Sequence, residues 1–150
     1  MTDKEWRMQC AYMGKMYTGV AGEKIIVKDA EMDQLGYTEG NNVVHVAREH
    51  EIMQDLAENE KKMFRLGVGS HELLHHELTD FTLRRKLVES YPIHEQRIVA
   101  MIDNILEDPA IEFFAPQIFG GVLLDALHFS IKHVYRLSRK IEESKSAFAQ

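Results

Sequence analysis

The segment GVGSHELLHHELTDF, residues 67–81, contains three of the eight histidines of the chain. Its residues Leu74 and Leu78 recur at a spacing of four, which is typical of one face of an α-helix. Positions four apart lie one above the other on a helix, so His71 and His75 face the same side. The small residues before the motif would let neighbouring elements approach closely. The segment therefore predicts a packed helix that presents two imidazoles to one ligand.

Two imidazoles on one helix are a favourable ligand pair for zinc. Glu72 follows His71 directly and is displaced by about 100° around the helix axis. This displacement holds its carboxylate off the metal but near a metal-bound water, which is the position that a general base needs in metal-assisted hydrolysis. The motif therefore predicts one Zn²⁺ per chain, with His71 and His75 as metal ligands and Glu72 as the catalytic residue.

A zinc hydrolase needs a third protein ligand as well as an open position for water. A third histidine six residues after the second would fall at Phe81, which cannot bind a metal. We expect the ligand among the carboxylates of residues 103–112, because acidic side chains in an apolar helix need partners. Glu107 is the first choice, ahead of Asp108 and Glu112. Asp108 can instead act as the N-cap of a helix that follows it.

Asp80 is a candidate for orienting one of the two imidazoles. A carboxylate that accepts a hydrogen bond from a ligand histidine fixes the tautomer of that histidine. The simpler interpretation places Asp80 at the end of the helix, where Thr79 begins a turn.

Two β-branched runs, at residues 24–28 and 42–47, predict strands of one small antiparallel sheet. The glycines and asparagines between them, at positions 36 and 40–42, predict turns. The predicted fold class is α+β: a mostly helical single domain, residues 1–150, with a small sheet packed beside the helix that carries His71 and His75.

Helical periodicity dominates the remainder of the chain. Pro109 is expected to end or restart a helix, since the residue before a proline is pushed out of helical geometry. Pro116 and the two following glycines predict a loop. Helices are predicted at 3–18, 51–65, 66–80, about 92–107 and about 122–145. The inward face of the fourth is expected to carry Ile98, Val99, Ile102, Ile105 and Leu106.

The composition narrows the class of protein and its setting. A chain of 150 residues with 45% hydrophobic content fits one domain with a substantial core. The net charge is −6, and the scattered Lys and Arg residues predict neither a nucleic-acid partner nor a membrane surface. The only cysteine is Cys10, which is typical of a reducing compartment. No apolar run of about 18 residues occurs, so we expect a cytoplasmic protein. The predicted last helix continues nearly to the end of the sequence, as in a domain excised from a longer chain.

The motifs at 71–75, 79–81 and 104–108, with Ile111 and Glu112 after them, resemble those of the zincin-type metallopeptidases of the gluzincin-like branch. They are most similar to bacterial and phage metallopeptidase domains that often precede a von Willebrand factor A-type domain. The resemblance covers about residues 40–115.

This resemblance implies hydrolysis of a peptide or protein substrate and association with a von Willebrand factor A-type domain. No Asp-x-Ser-x-Ser motif occurs in the sequence, so we do not expect the latter domain within this chain. The resemblance also implies that a helix after the first motif carries the glutamate ligand and that a small mixed sheet lies alongside. The strand at 42–47 would form the sheet edge next to the cleft.

Two functions of other classes remain open on the sequence. The first is a di-iron helical protein, because residues 72–75 also form a Glu-x-x-His motif; such sites need a second motif of this kind and two further carboxylates. The second is a non-catalytic metal-binding interaction module. The retained Glu72 gives that interpretation no positive support.

Overall fold

The computed structural model describes residues 1–31 and 33–148, and the side chains among them as far as residue 139. The fold is α+β and mostly helical, as predicted. The helices are α1 (Asp3–Ala21), α2 (Glu58–Leu78), α3 (Phe81–Glu89), α4 (Gln96–Ile118) and α5 (Gly121–Phe148). The strands are β1 (Ile26–Asp29), β2 (Gly36–Thr38) and β3 (Val43–Val46), and a 3-10 turn covers Glu51–Met53.

The sheet is mixed and has the strand order β1-β3-β2. β2 pairs antiparallel with β3, and β1 pairs parallel with the other edge of β3. The prediction of an antiparallel sheet is therefore wrong. β2 lies in the segment that was expected to form only turns, and the left-handed residues Gly40 and Asn42 close its hairpin with β3. Because β2 occupies the antiparallel edge, β1 takes the other one. β3 is thus the central strand, and β2 forms the edge next to α2.

The helix α2 runs through the middle of the domain as one continuous element. Its segment Phe64–Ser70 is buried throughout, because other elements cover it on several sides. Glycines make this possible: a Cβ at Gly67 would lie 2.0 Å from the carbonyl oxygen of Ala126 on α5. At Gly69 a Cβ would lie 2.3 Å from the hydroxyl of Tyr17 on α1. The close approach expected from the small residues is confirmed, and it fixes the helix that carries the histidines.

Replacing Gly67 with Ala is expected to lower the free energy of unfolding by about 3 kcal/mol or more, the upper end for overpacked cores. The added methyl would meet the backbone of Ala126, which cannot move as a flexible side chain can. Gly19→Ala is the matched control, since Gly19 is also helical and has no atom within 4 Å of an added Cβ. It should raise stability by about 0.5–1 kcal/mol. Urea unfolding of both variants measures the difference, and equal stabilities would contradict the close crossing.

The C-terminal helices depart from the prediction. A separate helix, α3, follows α2 after the cap at Thr79, and α4 continues through Pro109 and Pro116 to Ile118. Both prolines are on the exposed side of α4, where water can hydrogen-bond the carbonyl that a proline leaves without its helical donor. Pro109 therefore does not end the helix. None of the described helices is long and apolar enough to cross a bilayer.

The apolar residues of the first half of α4 do not face the core. Four of the five residues expected to be inward are about half exposed or more: Ile98, Ile102, Ile105 and Leu106. The core contribution of α4 comes instead from Ile111 and Ala115 in its second half. The helical periodicity identified the apolar stripe of α4 correctly. It could not predict that, among the described residues, no other element packs over this stripe.

Candidate metal centre

The two histidines of the motif lie together on one side of α2. The ring centroids of His71 and His75 are 4.9 Å apart. His75 is buried and His71 is partly buried. The pairing expected from the four-residue spacing is therefore present in the structure.

A carboxylate from α4 completes this group. The Oδ1 atom of Asp108 lies 3.1 Å from Nε2 of His75 and 3.7 Å from Nε2 of His71. One possible ligand atom from each of these three residues lies within 4.8 Å of the other two. Two imidazole nitrogens and one carboxylate oxygen form a donor set suited to zinc.

Glu107 lies near Nδ1, the other ring nitrogen of His75. The Thr79 hydroxyl donates to Oε1 of Glu107 at 2.7 Å, and the same hydroxyl oxygen is 3.0 Å from Nδ1 of His75. Since the hydroxyl proton is directed at the carboxylate, the oxygen can accept the Nδ1 proton of the imidazole. This arrangement directs the Nδ1 proton of His75 at Thr79 and leaves Nε2 as the ring nitrogen that faces Asp108. Glu107 therefore does not join the cluster and instead orients one of its imidazoles.

Glu112 has the equivalent place beside His71. Its Oε1 atom lies 3.1 Å from Nδ1 of His71, on the opposite side of the ring from Nε2. A carboxylate in this position holds a ligand histidine in one tautomer and increases its basicity. Of the three carboxylates considered in the sequence, only Asp108 lies at the Nε2 atoms of both histidines.

The charges in this cluster influence one another. Burial alone would lower the pKa of His71, but the hydrogen bond with Glu112 and the nearby Glu72 and Asp108 carboxylates raise that pKa above its usual value. Burial would raise the pKa of Asp108, yet the hydrogen bond from His75 and the charge of His71 hold it below its usual value. The Asp108 carboxylate is thus kept ionised beside the two imidazoles, and the surrounding carboxylates favour the charged form of His71.

Glu72 lies beside the cluster rather than in it. Burial raises the pKa of its carboxyl group, and the charges of His71 and His75 oppose that rise. Within the part of the chain that the structure describes, its carboxylate has no hydrogen-bond partner. β2 passes directly over its side chain, because a Cβ at Gly36 would lie 3.0 Å from Cγ of Glu72. The carboxylate is therefore positioned by packing and remains available to accept a proton.

Two cavities open on either side of these residues and share Gly36, His71, Glu72 and Asp108. The larger, which we call the apolar cavity, has a volume of about 460 Å³. Five of its wall residues are apolar or aromatic: Leu35, Val68, Ile131, Val134 and Tyr135. The smaller, which we call the polar cavity, has a volume of about 290 Å³, and its other wall residues include Thr38, His75, Arg84 and Asn104.

Arg84 on α3 ties α4 to this site. Its Nε atom lies 2.8 Å from Oδ2 of Asp103, and it also hydrogen-bonds Asn104. A further guanidinium nitrogen lies 3.6 Å from Oε2 of Glu107. The cation balances carboxylates that α4 would otherwise hold close together. No motif in the sequence indicated this role, because α3 itself was not predicted as a separate helix.

Two other residues near the motif have different roles. Asp80 caps α3, since its carboxylate accepts the backbone N–H of Leu83 at 2.9 Å; orientation of an imidazole is carried out by Thr79 and Glu107 instead. His76 points away from the cluster and hydrogen-bonds Asn42, as its position around the helix predicts. Together with Glu23 and Glu77, His76 forms a second group of side chains of the types that bind metals.

No model of a protein family, no curated protein and no solved structure matches this chain. The function must therefore be inferred from the residues of the site.

Proposed function

We propose that this chain is a zinc-dependent peptidase in which His71, His75 and Asp108 hold the metal and Glu72 is the general base. The observation that carries the proposal is the convergence of Nε2 of both histidines with the Asp108 carboxylate, with Glu72 uncommitted at the same cavity wall. The zincin-like arrangement belongs to the proposal: α2 carries the motif, α4 supplies the third ligand, and the small sheet lies alongside.

Different residues of the site have different roles in peptide hydrolysis. A bound zinc ion would polarise the scissile carbonyl and make a coordinated water acidic. Glu72 accepts the proton of the attacking water and passes it to the leaving amine. Glu112, and Glu107 through Thr79, hold the Nδ1 sides of the His71 and His75 imidazoles, so that the Nε2 atoms would be the ones to bind the ion.

The edge strand β2 gives the substrate a place to lie. Gly36 and Thr38 of β2 line the cavities, and among the described residues no strand pairs with the other edge of β2. An extended peptide can add to such an edge through main-chain hydrogen bonds. The strand at the edge of the sheet next to the site is therefore β2, and not the strand at 42–47 that was expected there.

Metal content and peptide cleavage test the proposal together. The purified protein is expected to contain one zinc per chain by elemental analysis, and added zinc should raise the melting temperature of the chelator-treated protein. A chelator should abolish cleavage of a peptide library, and zinc should restore it. Two irons per chain would instead favour the di-iron alternative. One zinc with no cleavage of any peptide would favour the non-catalytic interaction module.

A further inference from the structure

The apolar cavity offers the proposed site a pocket for one kind of side chain. It lies between the start of β2, the middle of α2 and the segment 130–138 of α5. Its volume of about 460 Å³ is within the range of about 300–1,000 Å³ found for small-ligand sites. Val68 is buried in its wall, and Ile131 and Val134 pack against the core from α5. The pocket is thus preformed by packed elements rather than by loops.

The cavity opens at the residues that would carry out the chemistry. His71, Glu72 and Asp108 belong to its wall and also to that of the polar cavity. A peptide whose scissile bond lies at these three residues therefore has one neighbouring side chain directed to each cavity. The wall of the apolar cavity also includes Glu112, Ser130 and Ser138, but its surface is mainly apolar. Because a polar or charged side chain would lose water against such a surface, the two cavities favour different side chains.

We infer that the apolar cavity is a specificity pocket, and that the substrates of this protein carry a large aliphatic or aromatic side chain next to the bond that is cleaved. The inference rests on the proposed peptidase function. The apolar wall of Leu35, Val68 and Val134 supplies the contact area. Burying a leucine-sized side chain favours binding by about 10- to 100-fold over glycine at the same position.

Cleavage of a peptide library by the zinc-loaded protein tests this inference, with both positions flanking the scissile bond varied. We expect kcat/KM at one of the two positions to be about 10- to 100-fold higher for Leu or Phe than for Gly. Val134→Phe, which fills the cavity, should remove most of that ratio, whereas Val134→Ala should shift the preference toward larger side chains. Val122→Phe is the matched control, because it adds the same side chain to α5 at a position outside the cavity wall. Circular dichroism checks that each variant folds.

A binding measurement separates this inference from the proposed function. Methyl NMR signals of Val68 and Ile131 should shift on addition of acetyl-leucine amide but not of acetyl-glycine amide, with or without zinc. A chain that cleaves nothing but shows these shifts, weakened in Val134→Phe, would refute the peptidase and support the pocket. Cleavage that favours basic or acidic side chains, or a Leu preference unchanged in Val134→Phe, would overturn the pocket and leave the peptidase intact. Absence of the methyl shifts would also overturn it.

Discussion

Replacing Glu72 with Gln is expected to lower the turnover of the zinc-loaded protein by about 10²–10⁴-fold, the usual contribution of a positioned acid–base group. The zinc content should stay at one per chain. Gln keeps the size of the side chain and fits beneath Gly36, where little space is left around Cγ. It cannot accept the proton of the attacking water, so the chemical step fails while the metal ligands are untouched.

The control for this change is Glu77→Gln, which removes a carboxylate from the same helix. Glu77 is exposed and contacts His76, and it lines neither cavity beside the cluster. Its turnover should match that of the unmodified protein. If Glu72→Gln hydrolyses peptides as fast as the unmodified protein and both hold zinc, Glu72 is not the base and the proposed mechanism fails.

The local part of the site could be predicted from the sequence because helical geometry determines it. A spacing of four residues places His71 and His75 on one side of any α-helix, and the structure has them there. Thr79 follows His75 by four residues, so the same rule could have indicated the contact between the Thr79 hydroxyl and Nδ1 of His75. Glu72 is likewise set by its position one residue after His71.

The third carboxylate could not be predicted in the same way. Glu107 and Asp108 are adjacent, so they point about 100° apart on α4. Which of them faces the histidines depends on how α4 docks against α2, and that is a tertiary property. Arg84 on an unpredicted helix helps to hold α4 in place. The walls of the apolar cavity could not be predicted either, because they combine residues of β2, α2 and α5, which are far apart in the sequence.

The sheet shows a similar division between local and long-range information. The β-branched runs identified β1 and β3 to within about two residues, because such residues favour strands. Strand β2 has only three residues, Gly36–Thr38, in a segment of turn-forming composition. The chain reverses from β1 to β2 and again from β2 to β3, so β3 runs parallel to β1. Without β2, a direct connection from β1 to β3 was expected to make these two strands antiparallel.

Asp108→Ala and Glu107→Gln should separate a metal ligand from a residue that orients one. Groups that hold a ligand histidine typically contribute 10- to 100-fold to metal affinity. Glu107→Gln removes the negative charge, but Gln can still accept the hydrogen bond from Thr79. We therefore expect this change to weaken zinc binding by an amount within that range. Asp108→Ala removes the oxygen that lies at Nε2 of both histidines, and it should weaken zinc binding by more than about 100-fold, beyond the range for orienting groups.

Zinc titration with a competing chelator measures both affinities, and the His71→Ala, His75→Ala double variant gives the baseline without the pair of imidazoles. Glu112→Gln is the matched control, because Glu112 orients His71 as Glu107 orients His75; its loss should equal that of Glu107→Gln. A larger loss in Glu107→Gln than in Asp108→Ala would return the third ligand to Glu107. Full zinc occupancy in the double variant would place the metal elsewhere, since no ligand set containing His71 and His75 could then account for it.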